Sequence, residues 1–499
     1  MKHTSKNILL VYPKYPDTFW SFKHVLKFIK RKSAFPPLGL LTVAAMLPEF
    51  WNKRLIDVNV EELTDEHIAW ADMVFISAMI VQKKSTQEIV DRCKAQNKTV
   101  IAGGPLFTTQ HENFKNVNHF VLNEAEVTLP LFLTDLEHNK LKPIYTSPIR
   151  PDVTTTPLPL WNLINFKNYA TMALQYSRGC PFNCEFCDII VMNGRIPRAK
   201  TPEQFIKEFQ SLYDAGWRGS IFVVDDNFIG NVTHVKQMLP KLIAWQKQHS
   251  YPFTLLTEAS TNLAADPELM QLMSAANFYK VFLGIETPSK EGLKECGKFQ
   301  NATRDLAEAV KTIHQNGMQV MGGFIVGFDT DTESIFDTQI KFIQEVGVVT
   351  AMVGLLTVLP QTRLWHRLKA EKRLLSDPTG ENTDAILNFI PKMNKEKLVA
   401  GYKRIFSTIY SRKYYYKRIE TFIKQYRPTV HARMTLTDFK AFLRSVWKIG
   451  VLSRARLRYW KLIAKTALTK RRALPMAIEL AIYGVHFEQV VKRTVAKQA

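Results

Sequence analysis

Short apolar runs alternate with amphipathic stretches along most of this chain, and the rhythm changes twice. Between residues 7 and 140 the runs are strand-like: Asn7–Pro13, Arg54–Val60, Met73–Met79, Thr99–Gly104 and a weaker His119–Asn123. Helical periodicity fills the gaps at Leu38–Leu47, Ser85–Gln96 and Glu126–His138. Strands alternating with helices predict a parallel, doubly wound, Rossmann-like sheet. Residues 141–170 break the pattern with Pro143, Pro148, Pro151, Pro157 and Pro159, the composition of a stiff linker. From 171 to 360 the strand signal returns six times, at Thr171–Tyr176, Ser220–Val224, Phe253–Ala259, Lys280–Ile285, Val320–Val326 and Met352–Leu359. Helices are expected between them at Pro202–Ala215, Val232–Gln248, Pro267–Ala276, Arg304–Gln315 and Glu333–Val346, the last capped by Asp329 or Thr332. Six parallel strands joined by right-handed crossovers curl into an open (β/α)6 barrel. The remainder, 361–499, reads as mainly helical. The chain is therefore α/β, with units at 1–140, 141–170, 171–360 and 361–499.

Charge sharpens the last boundary. The 499 residues carry a formal net charge of +22, and residues 401–499 hold 23 Lys and Arg against 4 Asp and Glu. The excess belongs to one segment and asks for a local partner. Aromatics lie among these cations: Tyr414, Tyr415, Tyr416, Trp447, Tyr459 and Trp460. Most form the core of a helical bundle. The rest suit an anionic membrane surface, where amphipathic rings sit at headgroup depth, or nucleic acid, where rings stack on bases. The apolar stretch Ala473–Phe487 favours the membrane. No run of about 18 apolar residues predicts a transmembrane helix, and Met1–Lys6 leads into the first strand without a signal-peptide pattern.

Three of the five cysteines fall in one short stretch, Ser177-Arg178-Gly179-Cys180-Pro181-Phe182-Asn183-Cys184-Glu185-Phe186-Cys187. The spacing C-x3-C-x2-C lacks the fourth ligand of a structural zinc site. Three thiolates on a [4Fe-4S] cube leave one iron open to a substrate or cofactor. A low-potential cluster implies a reducing, cytoplasmic compartment, and clustered cysteines do not suit a secreted disulfide framework. Of the others, Cys93 reads as a buried hydrophobe and Cys296 as a loop residue. In barrels of this kind active groups collect at the carboxyl ends of strands. The polar residues there are Asp225, Asp226 and Asn227, Glu258 and Ser260, and Glu286. Helix capping explains some of them, but Glu258 follows the apolar Leu255-Leu256-Thr257 and needs a partner.

The cysteine stretch, with Phe186 before its last thiol, resembles the signature of the radical S-adenosylmethionine (SAM) enzymes. In its position ahead of such a barrel, the first domain resembles the cobalamin-binding domain of the B12-dependent members. Down to the tail Ala481-Ile482-Tyr483-Gly484-Val485-His486-Phe487, the arrangement is similar to the group containing the hopanoid C-2 methylase. The resemblance implies a [4Fe-4S] cluster on Cys180, Cys184 and Cys187, and SAM bound near Phe186, Asp225, Asp226, Asn227, Glu258, Ser260 and Glu286. It also implies cobalamin near Gly103 and Gly104. One departure is visible: the nearest match to a cobalt-ligating D-x-H-x-x-G is Asp65-Glu66-His67-Ile68-Ala69-Trp70, which lacks the glycine and lies before the third strand. His67 reads as a surface or helix-start residue. The expected activity is methylation of an unactivated carbon, with a reductase as electron donor and a small-molecule or lipid substrate. The alternatives are an RNA-modifying enzyme of the same superfamily and a non-catalytic cobalamin- or membrane-binding protein. A methylthiotransferase would need a second cluster, for which Cys93 and Cys296 are too few.

Overall fold

A computed structural model describes residues 5–431 and 435–496; Met1–Thr4, part of the amino-terminal reading, lie outside them. The first sheet contains β1 (Asn7–Tyr12), β2 (Asn52–Asp57), β3 (Met73–Ser77), β4 (Thr99–Gly103), β5 (His119–Val121) and β6 (Ile144–Tyr145). All are parallel, in the order β2-β1-β3-β4-β5-β6. Both faces are covered, so alternate residues of one strand serve two cores. Leu9, Val11, Val74 and Ile76 pack on one side. Ile8, Leu10, Met73 and Phe75 pack on the other, in a core continuous with the barrel's. The proline-rich segment supplies β6, an edge strand where a linker was expected. Edge pairing needs hydrogen bonds on one side only, which prolines nearby tolerate.

The second sheet contains β7 (Thr171–Leu174), β10 (Gly219–Val223), β11 (Phe253–Ala259), β12 (Phe278–Glu286), β13 (Gln319–Val326) and β14 (Ala351–Leu355). Strand follows strand in chain order, all parallel, from β7 to β14. Its helices start where the sequence provides caps. Thr201 accepts from Gln204 N ahead of Pro202–Asp214, Asn231 from His234 N ahead of Val232–Gln248, and Asp266 from Leu269 N ahead of Pro267–Ala275. Neither Asp329 nor Thr332 caps the next-to-last barrel helix, which starts at Ile335 after Ser334. Asp329 instead meets Arg367 at 2.9 Å and Arg373 at 2.6 Å.

The barrel stays open between β7 and β14, and the long connection after β1 covers the gap. Trp20 Nε1 donates to Met352 Sδ on β14 at 3.1 Å. On the other edge, Ala170 N and Thr171 N donate to Ser33 O and Ala34 O, both at 3.0 Å. The carboxyl-terminal region is helical, with Lys395–Ile409, Arg412–Gln425, Leu436–Ser445, Arg456–Thr469 and Leu474–Ala496 as its main helices. Much of its aromatic content is core, as the sequence implied: Tyr402, Tyr415, Phe422 and Tyr459 are fully buried.

Candidate active site

The cysteine loop leaves the barrel as a closed excursion. After β7 the chain forms β8 (Ser177–Arg178), which pairs antiparallel with β9 (Arg198–Ala199) and so ties the loop's two ends. Gly179 begins the excursion at φ +99°, where a Cβ would lie 2.8 Å from Ile196 O. Only glycine combines that backbone with that contact. Three further elements pin the loop. Asp226 accepts from Gly179 N at 2.7 Å, Cys296 O accepts from Glu185 N at 2.8 Å, and Arg367 meets the Glu185 carboxylate at 2.7 Å. Asp225 performs the same service one residue earlier, accepting from Tyr176 N, Ser177 N and Ser177 Oγ at 2.6–2.8 Å. Burial pushes its carboxyl up to about 7, while these donors pull the other way.

The donor set suits a cube. Cys184 is buried and its two neighbours are partly so. Burial raises the thiols of all three, and the ammonium of Lys298 opposes it at Cys180 and Cys184. Among the described residues, no three His, Cys, Asp or Glu side chains gather around a single metal position. A cube asks for the opposite arrangement, one thiolate on each of three irons.

The remaining candidates divide by partner. Asn227 reaches Cys180 Sγ at 3.8 Å and Ser260 Oγ at 3.3 Å, linking the loop to the end of β11. Glu286, at φ +66°, is paired with Lys298. Burial pulls the Lys298 ammonium down, but Glu286 together with the nearby Cys184 and Cys296 raises it further than burial lowers it. Phe186 lies 6.4 Å, centroid to centroid, from Phe328. Glu258 differs from all of these. It lines the barrel interior, and among the described residues its carboxylate has neither hydrogen bond nor ion pair. Burial first, then the nearby Asp226 and Asp225 charges, raise it to about 7. Cys93 and Cys296 are buried; Cys296 Sγ contacts Leu293 O at 3.5 Å.

A buried ion network escaped the sequence reading. Arg178, inside the motif, meets Glu124 at 2.9 Å and Glu126 at 2.7 Å, and Arg198 meets Glu124 at 2.9 Å. Both glutamates follow β5, so the carboxyl end of the first sheet faces the cysteine loop. Asp57, at the end of β2, likewise accepts from Tyr169 Oη at 3.0 Å just ahead of β7. Ligands of doubly wound sheets sit outside the carboxyl ends of the strands. Here those ends face the cysteine loop through Glu124 and Glu126, and Met79 just past β3 is 43% exposed. A flat cofactor lodged there would lie beside the loop, so the arrangement fits cobalamin. At Gly103 and Gly104 the space of a Cβ is filled by protein atoms, Val121 O at 2.7 Å and Ser77 Oγ at 2.5 Å. Gly103 ends β4 against the paired strand, and Gly104 turns the chain at φ +87°. His67 starts a helix: its Nδ1 accepts from Thr64 N at 3.2 Å.

Family models match along the chain: B12 binding domain at residues 26–133, radical SAM superfamily at 174–362, and a domain of unknown function (DUF4070) at 362–499. An uncharacterized methyltransferase of Synechocystis is 41% identical, over 98% of this chain and 93% of its own. The hopanoid C-2 methylase of Rhodopseudomonas palustris is 34% identical, over 92% of this chain and 89% of its own. Among solved structures, the cobalamin-dependent radical SAM enzyme OxsB superposes with TM-score 0.65 at 14% identity, covering 98% of this chain and 81% of that one. The radical SAM methyltransferase TsrM of Kitasatospora setae gives 0.64 at 15%, covering 93% and 100%. These two share the fold. Likeness of sequence along nearly the whole length goes further: the chain belongs to the B12-binding-domain radical SAM family that contains the hopanoid C-2 methylase, and is a methyltransferase using a [4Fe-4S] cluster, SAM and cobalamin.

Proposed function

We propose that the enzyme methylates an unactivated carbon of a membrane lipid. The observation that carries this reading is the outer face of the carboxyl-terminal helices. Leu443, Trp447, Leu457 and Leu468 are exposed there, with Leu457 at 80% and Leu468 at 87%. Lys440, Lys448, Arg454, Arg458 and Lys461 lie in the same segment. Exposed apolar side chains interspersed in sequence with cations match an anionic bilayer, where each contribution adds to the other. Among the described residues no helix is long and apolar enough to cross a membrane, so contact would be peripheral. The 34% identical relative is named for a lipid substrate, a hopanoid, which supports the same class here.

When bound, the cluster and SAM supply a hydrogen-abstracting radical and cobalamin supplies the methyl group. This chain's residues do the rest. Cys180, Cys184 and Cys187 hold the cluster on a loop fixed by Asp225, Asp226, Cys296 O and Arg367. Asn227, Ser260 and Glu258 orient SAM from the ends of β10 and β11, and Asp226 offers its second carboxylate oxygen. Glu286 stays with Lys298 beside the cluster. The Arg178–Glu124–Glu126 network fixes the cobalamin crevice against the loop. Enclosure of the barrel by residues 18–35 keeps water from the reacting carbon, and positioning of this kind contributes several kcal/mol, roughly 7–11 at best.

Comparing lipid extracts from cells with and without this chain tests the reading: a methylated lipid should disappear with it. Sedimentation with anionic vesicles, but not a gel shift with RNA, should accompany the intact protein. Unchanged lipids together with RNA binding would replace the lipid by a nucleic acid.

A further inference from the structure

Reduction of the cluster takes one electron from outside the chain. Beyond the three ligands there are only Cys93 and Cys296, too few for a second cluster to relay it. The cysteine loop itself is held on several sides. Arg178 and Arg198 tie it to Glu124 and Glu126 of the first sheet. Asp226 and Asn227 tie it to the barrel. Arg367 and Cys296 O tie it to the segments after β14 and β12. The turn between the first two ligands, Pro181-Phe182-Asn183, stays partly exposed.

What borders this turn is cationic and apolar. Arg195 Nη2 donates to Pro181 O and Arg363 Nη1 to Asn183 O, each at 3.2 Å. The two carbonyls belong to residues two apart, at most about 7 Å along the chain. Both guanidiniums are exposed and, among the described residues, neither has an ion pair. Most of their N–H donors are therefore open to a carboxylate. Gly297 lies against the same carbonyl: a Cβ there would be 3.1 Å from Asn183 O and 4.0 Å from Arg363 Nη1. Two residues on, Phe299 is 63% exposed, and beside Arg195, Ile196 is 78% exposed. Over residues 181–199, 290–300 and 361–368, exposed cations outnumber exposed carboxylates four to one: Arg195, Lys290, Lys294 and Arg363 against Glu291. Glu185 and Glu295 turn inward, to Arg367 at 2.7 Å and to Thr330 N at 2.8 Å. Bracing the loop does not account for this collar. A neutral donor would serve each carbonyl, and bracing leaves the exposed Ile196 and Phe299 without a role.

We infer that the collar around Pro181–Asn183 is the docking surface of the electron donor, an acidic carrier protein with a one-electron redox group at its own surface. Carboxylates of the carrier meet Arg195 and Arg363, and its apolar rim meets Ile196 and Phe299. The transfer makes and breaks no bond. The carrier is oxidised by one electron and the cluster is reduced by one, across a turn flanked by the ligands Cys180 and Cys184. Encounters of this class are small and transient, and charge complementarity sets their rate more than their tightness. The inference stands on the cluster and is independent of the lipid reading.

The test uses the anaerobic holoenzyme and three reductants: a photoreduced acidic flavodoxin, a reduced acidic ferredoxin, and reduced methyl viologen, a small cation that needs no docking surface. Cluster reduction is read by electron paramagnetic resonance after rapid freezing. At least one acidic carrier should reduce the wild type, and more slowly as sodium chloride rises from about 0.1 M to about 1 M, which shortens the screening length from about 10 Å to about 3 Å. Arg195→Glu with Arg363→Glu should slow reduction by that carrier at least about tenfold while leaving the methyl viologen rate no lower. Iron and sulfide content shows whether the variant keeps its cluster. Arg195→Gln with Arg363→Gln, which retains a donor for each carbonyl, serves in its place if it does not, with slowing in the same direction. A carrier rate unmoved by salt or unchanged in the cluster-loaded variant, equal slowing with methyl viologen, or a wild type that neither carrier reduces overturns the inference.

Discussion

A half-buried carboxylate on a cavity wall, with no protein partner, is well placed to meet a ligand. Glu258 is in that position, and its carboxyl, raised to about 7 by burial and by Asp226 and Asp225, titrates within the working range. If its ionised form accepts hydrogen bonds from SAM, affinity for SAM rises as pH increases through about 7. Equilibrium binding of SAM between pH 6 and 8, about one unit either side, should show that rise, and Glu258→Gln should flatten it. The cysteines make a sterner case. Cys184→Ala removes one of three ligands, and iron and sulfide analysis should fall to background with no release of 5′-deoxyadenosine. Cys296→Ala touches only packing and the Leu293 carbonyl, so it should keep its cluster. The three ligands were legible in the sequence because a loop that binds one cube must present them within a few residues. Arg178 was not legible as a docking residue. It stood inside the motif, but its partners Glu124 and Glu126 are 54 and 52 positions away, and pairing at that distance leaves no local pattern.

Strands and helices followed the sequence closely for a physical reason. A parallel sheet buried on both faces needs unbroken apolar runs, and each crossover helix needs a capped, amphipathic stretch. Phe253–Ala259 and Val232–Gln248 fall where the periodicity put them. The two-residue β6 was hidden, because pairing at a sheet edge leaves too little pattern among prolines. The connection after β1 was hidden too, since its role in closing the barrel depends on Met352 and Thr171, far along the chain. The Arg178 network joins two of these units and sets their acid sensitivity. Burial raises Glu126 but Arg178 more than offsets it, holding the carboxyl at about 2 against an ordinary 4.5. A carboxyl lowered in the folded state contributes stability above its unfolded pKa, and that contribution fades as pH falls from 4.5 toward 2. The difference corresponds to about 3 kcal/mol. Arg178→Met should lower stability at pH 7 by about 3 kcal/mol, because two buried carboxylates lose a partner, and should flatten the acid limb of the unfolding profile. Denaturant titrations at pH 7 and near pH 4 check both. On the outer face of the tail, Leu443→Glu with Leu457→Glu should weaken binding to anionic vesicles by at least about tenfold and leave the far-ultraviolet circular dichroism unchanged.

At the level of the molecule, three units surround one cavity. The first sheet turns its carboxyl ends toward the cysteine loop, the barrel holds that loop over its own lumen, and the carboxyl-terminal helices build the lower mouth beside an apolar, cationic surface. On the proposed reading, cofactors meet where the first sheet's carboxyl ends face the cysteine loop, and the exposed apolar and cationic side chains of the tail suit a bilayer. Anaerobic holoenzyme supplied with trideuteromethyl-labelled SAM, a reductant and anionic vesicles made from the cell's own lipid extract brings these parts together. The expected result is a lipid carrying the labelled methyl on its apolar portion, accompanied by one 5′-deoxyadenosine and one S-adenosylhomocysteine for each methyl transferred. Labelled lipid formed equally well by the Cys184→Ala variant, or cofactor cleavage with the label entering RNA instead of lipid, would contradict it.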